Sequence, residues 1–394
     1  MPRAQTLSYP FLAMLVWMAA AVPSPACPFC SENQGPTLVG DHAQASMVLY
    51  GSFTNAKPGA NGFDGTTDFV IEKVVKPHEY LKGVKNNTVT LPRHVPFAKN
   101  KYLVFVDVYK GNLDPYRGVE VQPKSEIVQY LEGAVKLEKS PAPQRLRYCF
   151  DYLNSADFDV AMDAYREYAK ADYKEYKDMA KKLPPDVIAG WLKDPKTPAY
   201  RYGLYASLLG HCGGAEHAKL LRSMIDDPEK RKGSGIDGLL AAYVMLQPKE
   251  GWVYVQDMLK NEKHEFMFRY ACLRTLRFLW DQRTDLVPQK EIVHGMALVL
   301  GQPDMADFGI EDLRRWQRWE MTEPILSLFG QKSHNIPVVK RAVLRFALAS
   351  PDPKAKDFIR QQRERDLDWV RDTEELLKLE TDTQPSAPIK SGSK

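Results

Sequence analysis

The chain has 394 residues, 44% hydrophobic and 26% charged, with 54 basic and 50 acidic side chains and a formal charge of +4. That composition excludes a disordered or collagen-like chain and a membrane protein, and so even a charge balance excludes nucleic-acid binding driven by charge. The length fits two or three domains.

The first element in chain order is a targeting segment. Arg3, an apolar run at residues 12–22 (LAMLVWMAAAV) and the small residues around Ser24-Pro25-Ala26 form the three parts of an export signal. The run is too short for a bilayer, which needs about 20 residues, and no later run approaches that length. Cleavage after Ala26 is expected, giving a secreted or periplasmic chain with residues 1–26 as signal peptide and no membrane span. A lipid anchor would want a Leu-like residue three before Cys27, where Ser24 stands, so a free end is expected.

Export permits disulfides, and five cysteines cannot all pair within one chain. Cys27 and Cys30 flank Pro28-Phe29 at the start of the mature chain and form a candidate disulfide or redox pair. Redox work with this spacing uses a helix N-terminus after a strand to lower the first thiol's pKa. Here nothing precedes Cys27 after cleavage, and SENQGP (31–36) does not read as a helix. Zinc would need two more ligands, and His42, His78 and His94 are scattered; covalent haem would need a histidine where Ser31 stands. No metal or cofactor is therefore assigned. The expectation is a local disulfide, or free thiols, near a flexible start. Cys149, Cys212 and Cys272 read as buried small apolar residues.

From about Thr37 to Gln122 the pattern is strand-like. ASMVLYGSF (45–53), TTDFVIEKVVK (66–76), NTVTLP (87–92), KYLVFVDVYK (101–110) and RGVEV (117–121) are rich in β-branched and aromatic residues. KPGANGFDG (57–65) and KGNLDPYRG (110–118) read as turns between them. Five short strands suggest a small antiparallel barrel or sandwich over residues 27–122. Its core face is either Val48 and Tyr50 or Met47, Leu49 and Phe53, together with Phe69, Ile71, Val75, Leu103 and Phe105.

From Lys124 the period becomes helical. Asp172 with Glu175 reads as a capping box opening YKEYKDMAKKL, and Pro184-Pro185 breaks that helix. Units beginning at Trp191, Met224 and Met258 repeat at about 34 residues, each with an apolar helix end, an Asp/Asn-rich turn and a second apolar helix. Weaker echoes begin near Tyr152, Val299 and Leu328. One such helical pair cannot bury its apolar face alone, so neighbours stack. Residues 123–380 are expected to form an all-α solenoid closed by one charged helix over 354–379, with 381–394 as a disordered tail.

Two family resemblances follow from these residues. LKDP…Arg201…Ala206…LLG and VKRAVLRFALASPDP (338–353) resemble HEAT repeats over roughly 154–359. The order of N-terminal cysteine, MVLYGSF, DFVIEKVVK with Lys82-Gly83, and Tyr102 to Phe105 resembles the netrin-like module, the OB-type barrel of the tissue inhibitors of metalloproteases and of complement C-terminal domains. The chain departs from that module in having Cys-x-x-Cys where the family has Cys-x-Cys, and no other cysteine before Cys149. The second resemblance implies a further alternative, inhibition of an exported metalloenzyme through the amine and carbonyl of Cys27.

RRWQRWE (314–320) is the most unusual local composition. On a continuous helix Trp316 and Trp319 lie one turn apart and Arg314 and Arg318 share a face. These four form a candidate binding surface for a peptide, glycan or polyanion, or the indoles fill a seam between repeats. His211-Cys212 with His217 reads as a helix end, where a cationic histidine and Gly213-Gly214 suit the C-terminus. Tyr165, Tyr168, Tyr173 and Tyr176 read as packing, and Lys230-Arg231-Lys232 as a loop. No phosphate-binding glycine loop, G-x-S-x-G or H-E-x-x-H occurs. The sequence therefore reads as an exported multidomain β + α protein, an OB- or netrin-like β-barrel followed by a HEAT-like solenoid. Its expected role is non-enzymatic binding or assembly scaffolding for a protein partner, with thiol–disulfide work at Cys27 and Cys30 as the alternative.

Overall fold

The structure is a computed structural model that describes residues 28–29, 35–60, 65–96 and 99–383. It is a five-stranded antiparallel sheet followed by a long succession of helices. The expected signal peptide, Cys27, Cys30 and residues 384–394 lie outside the described residues.

Helix α1 (Leu38–Gln44) comes first, capped by Thr37, whose hydroxyl accepts from the Gly40 N–H at 3.1 Å. At its other end the Lys76 ammonium donates to the carbonyls of His42, Ala43 and Ala45. A cation on the last turn satisfies carbonyls that the helix leaves open and ties α1 to the sheet. The strands are β1 (Met47–Pro58), β2 (Gly65–Lys76), β3 (Thr88–Leu91), β4 (Lys101–Tyr109) and β5 (Asn112–Val121), in the order β3-β2-β1-β4-β5. The expected barrel is not closed: β3 and β5 are the two edges and share no ladder. Strand β1 bends at Gly51, where a Cβ would lie 1.9 Å from the Val70 carbonyl oxygen. The stretch 112–116, expected as turn, is the first half of β5. Asn112 pairs with Tyr109, so the turn is only Lys110 and Gly111, both at positive φ. Pro115 is tolerated because β5 is an edge strand and the register shifts beside it.

The sequence left open which strand face is core, and both are. Met47, Leu49, Phe69, Val104 and Leu91 form a small cluster on one face. Val48, Leu103, Phe105 and Val121 face the other way and join the helical core.

The helices after the sheet are α2 (Ile127–Lys136), α3 (Ala142–Phe150), α4 (Phe158–Lys170), α5 (Tyr173–Ala180), α6 (Pro185–Lys193), α7 (Tyr202–Cys212), α8 (Ala215–Asp226) and α9 (Pro228–Arg231). Then come α10 (Ile236–Leu246), α11 (Pro248–Lys260), α12 (Phe266–Gln282), α13 (Gln289–Ala297), α14 (Ala306–Arg315), α15 (Thr322–Ser327), α16 (Pro337–Ala349), α17 (Pro353–Arg365) and α18 (Leu367–Thr383). The Asp172–Glu175 capping box opens α5, and Pro185 starts α6. Helices pack in chain order, α5 on α7, α7 on α10, α10 on α12, α14 on α16 and α16 on α18. The α7–α10 contact is the tightest, because Gly203 and Gly238 meet backbone to backbone. A Cβ on Gly238 would sit 2.5 Å from the Gly203 Cα.

Three expectations change here. The charged helix expected over 354–379 is two helices, α17 and α18, broken at Asp366 (φ −154°, ψ 88°). Helix α18 folds back onto α16 and α17, where Glu380 joins Arg314 and Arg345, and it runs to Thr383, three residues into the segment expected as tail. Of Lys230-Arg231-Lys232, expected as loop, the first two belong to the short helix α9 and Lys232 is its C-cap. No helix among the described residues is long and apolar enough to cross a membrane.

Candidate functional site

Helix α12 lines a cleft. Tyr270, Arg274, Arg277 and Asp281 follow one another at steps of four, three and four residues and so share one face. Asp237 of α10, Tyr173 of α5 and Phe278 of α12 itself complete the lining of an open volume of about 320 Å³. Arg274 pairs with Asp237 at 2.7 Å, and Arg277 with Asp312 of α14 at 2.7 Å. Both aspartates are buried. Burial raises the Asp312 carboxyl above its usual range and the Arg277 guanidinium opposes that shift. Asp281, at the mouth, is exposed.

One wall of this cleft comes from far away in sequence. Pro28 and Phe29, between the two N-terminal cysteines, lie in it. Phe29 is only 6% exposed and its ring meets Phe278 at 4.8 Å. Phe278 in turn meets Tyr173 edge-on at 5.2 Å. The flexible start expected here is corrected at Phe29, because burying a whole aromatic ring offsets the entropy lost in fixing those residues. The proposals for Cys27 and Cys30 fall outside the described residues.

The RRWQRWE stretch is not one helix. Helix α14 ends at Arg315 and Gln317 takes a left-handed φ of 57°. The Arg318 N–H reaches the Leu313 carbonyl at 2.9 Å and the Gln317 N–H reaches Arg314 at 3.0 Å, a Schellman stop. Its four candidate residues are consequently divided. Trp316 stacks on Trp280 at 4.2 Å, and the Arg318 guanidinium lies 5.4 Å from the same Trp280 ring. Trp319 instead packs edge-on against Phe346. Arg314 pairs with Glu311 and Glu380 and is largely buried. Trp316 and Arg318 thus share a half-buried surface beside the end of α12, while Arg314 and Trp319 serve contacts with α16 and α18.

His211 packs against the rings of Tyr173 and Tyr176, and burial together with Arg283 lowers its pKa to about 4. It is neutral at pH 7, so the expected helix-end cation is replaced by an aromatic-packed imidazole. His217 caps α8: its Nδ1 accepts from the Gly214 N–H at 3.1 Å. Tyr165, Tyr168, Tyr173 and Tyr176 are all buried. Cys149, Cys212 and Cys272 are unpaired thiols. Burial raises all three, Cys212 to about 11 and Cys272 to about 12. Among the described residues no group of three or more His, Cys, Asp or Glu side chains could hold a metal ion.

The α12 stripe was missed in the sequence because a Tyr-Arg-Arg-Asp face on an amphipathic helix looks like a solvated one. The spacing was visible; the aromatic wall from Phe29 was not. The cleft offers paired charges, aromatic faces and one exposed carboxylate, which is the chemistry of recognition. Comparison with protein-family models finds no match, and comparisons with curated proteins and with solved structures find none either.

Proposed function

We infer that the protein is an exported binding or assembly scaffold whose helical half is a HEAT-like solenoid, with the α12 cleft as its main contact surface for a protein partner. The observation that carries this reading is the cleft itself: one helix face of Tyr270, Arg274, Arg277 and Asp281, held in place by ion pairs to the helices on either side. Paired arginines beside aromatic rings supply the anchors on which protein interfaces depend. Helices packed in chain order support the solenoid reading, since such stacks present long binding faces. The Trp280–Trp316–Arg318 surface extends the contact area beyond the mouth of the cleft.

The test is site-specific photo-crosslinking in the native extracytoplasmic fraction. A photo-reactive residue at Gln282, which lines the cleft, is expected to give a discrete adduct that Arg277→Ala abolishes. The same residue at the exposed Glu216 of α8 is expected to give none. Adducts of equal yield from both positions, or none from Gln282, would overturn the reading.

A further inference from the structure

The Phe29 slot shows what this cleft accepts. The segment is held by three contacts: the ring of Phe278, the space left by the absent side chain of Gly203, and the Arg274 guanidinium, 3.5 Å from the Pro28 carbonyl oxygen. A Cβ on Gly203 would lie 2.9 Å from the Phe29 carbonyl oxygen and 3.1 Å from its Cβ, so the slot fits a backbone with an aromatic side chain. None of these contacts requires the segment to be joined to the rest of the chain. The same cleft is also lined by Tyr270, Arg277 and Asp281. Of the two carboxylates that line the cleft, Asp237 is paired with Arg274. Asp281 stands beside Arg277, which is itself paired with Asp312; burial and Asp312 raise the Asp281 carboxyl and Arg277 opposes that shift.

We propose that slot and cleft together form a peptide-binding site for a partner segment. That segment places an aromatic side chain where Phe29 sits and a basic side chain beside Asp281, and the chain's own Pro28-Phe29 is the resident competitor. This deepens the scaffold reading and rests on it. A segment already in place raises the apparent dissociation constant of any incoming peptide, in proportion to how rarely the slot is vacant. The incoming segment gains what the resident lacks, the cleft beyond Phe29 and the charge of Asp281.

The test uses the mature protein and the fluorescein-labelled peptide SPASPFSK. This is the 24–30 sequence with serine for both cysteines and an added lysine. Fluorescence anisotropy is expected to show Phe29→Ala binding it at least about 10-fold more tightly than the parent protein. The control peptide SPASPASK should lose at least about 10-fold on that variant, and adding Asp281→Asn should weaken SPASPFSK about 3-fold. Equal affinity of the parent and Phe29→Ala, or equal binding of the two peptides, would overturn the proposal. Should circular dichroism show Phe29→Ala unfolded, Phe29→Leu keeps the slot apolar and must still bind SPASPFSK more tightly than the parent; if it does not, the proposal fails. Peptide binding of this kind without any crosslink from Gln282 would sink the scaffold reading alone. A Gln282 crosslink unaffected by either Phe29 variant would sink this inference alone.

Discussion

The two faces of the sheet have different fates. On one, Met47, Leu49, Phe69 and Val104 pack among themselves and with Leu91 under an open edge. On the other, Val48, Leu103 and Phe105 enter the same core as Tyr130, Leu146 and the helices beyond. The first face is a small local core; the second makes the sheet one wall of a larger one. The contrast shows that a boundary drawn where the periodicity changes is not a boundary in packing. Around it, Leu38 donates its N–H to Asp163 of α4 at 2.6 Å, and Tyr130 donates its hydroxyl to the same carboxylate at 3.0 Å. Arg117 of β5 pairs with Asp41 of α1, and Lys73 of β2 with Glu132 of α2.

Substitutions on the two faces would break or sharpen this comparison. The largest effect is expected from Phe105→Ala, a loss of about 4 kcal/mol from a fully buried ring, with the sheet and helices losing stability together in denaturant unfolding. Loss of sheet signal alone would show that the second face is not shared. Phe29→Ala is expected to cost about 3 kcal/mol, read as a lower midpoint for the helical signal even though residue 29 precedes the sheet.

Asp163 tests the junction through pH. Burial raises its carboxyl to about 6, against hydrogen bonds from Leu38 and Tyr130 that lower it. The folded state therefore holds this proton more tightly than the unfolded chain does. The resulting stability is fully present below the ordinary carboxylate value near 4 and is lost as pH rises through 6. Two pKa units correspond to about 3 kcal/mol. Asp163→Asn keeps an acceptor for the Leu38 N–H and is expected to remove this pH-dependent loss, gaining stability at pH 7 and little at pH 4. A stability difference that does not change with pH would contradict the role given to this group.

The smallest effect belongs to the far end of the helical half. Burial pushes the Glu380 carboxyl up, but the hydrogen bond from Arg314 and the charges of Arg345 and Arg315 outweigh it and hold it below its usual value. Glu380→Gln is expected to cost about 1 kcal/mol at pH 7 and nothing once the pH falls below the folded-state value. Hydrogen exchange confined to α18 would be the readout, since the sheet lies outside its reach.

Much of the fold was legible because periodicity is local. The strand runs, the Asp172–Glu175 box and the Pro185 helix start are all encoded within a few residues. Errors arose where one residue overrode a pattern. Pro115 looked like a turn but is tolerated on an edge strand; Gln317 turned left-handed and split RRWQRWE; Asp366 broke a charged run that reads as one helix. The cleft was half legible. Its α12 stripe has a spacing any helix would give, but the ring that completes it comes from residue 29, and no window of sequence links Phe29 to Gly203 and Phe278.

The claim most in need of trial is that one core joins the sheet to the helices. Native-state hydrogen exchange under rising denaturant tests it most directly, by comparing the amides of β4 with those of α7 and α10. A shared core predicts that the slowest amides in all three elements open with the same free energy and the same denaturant dependence. Opening of β4 at a distinctly lower free energy, with α7 and α10 still protected, would contradict it.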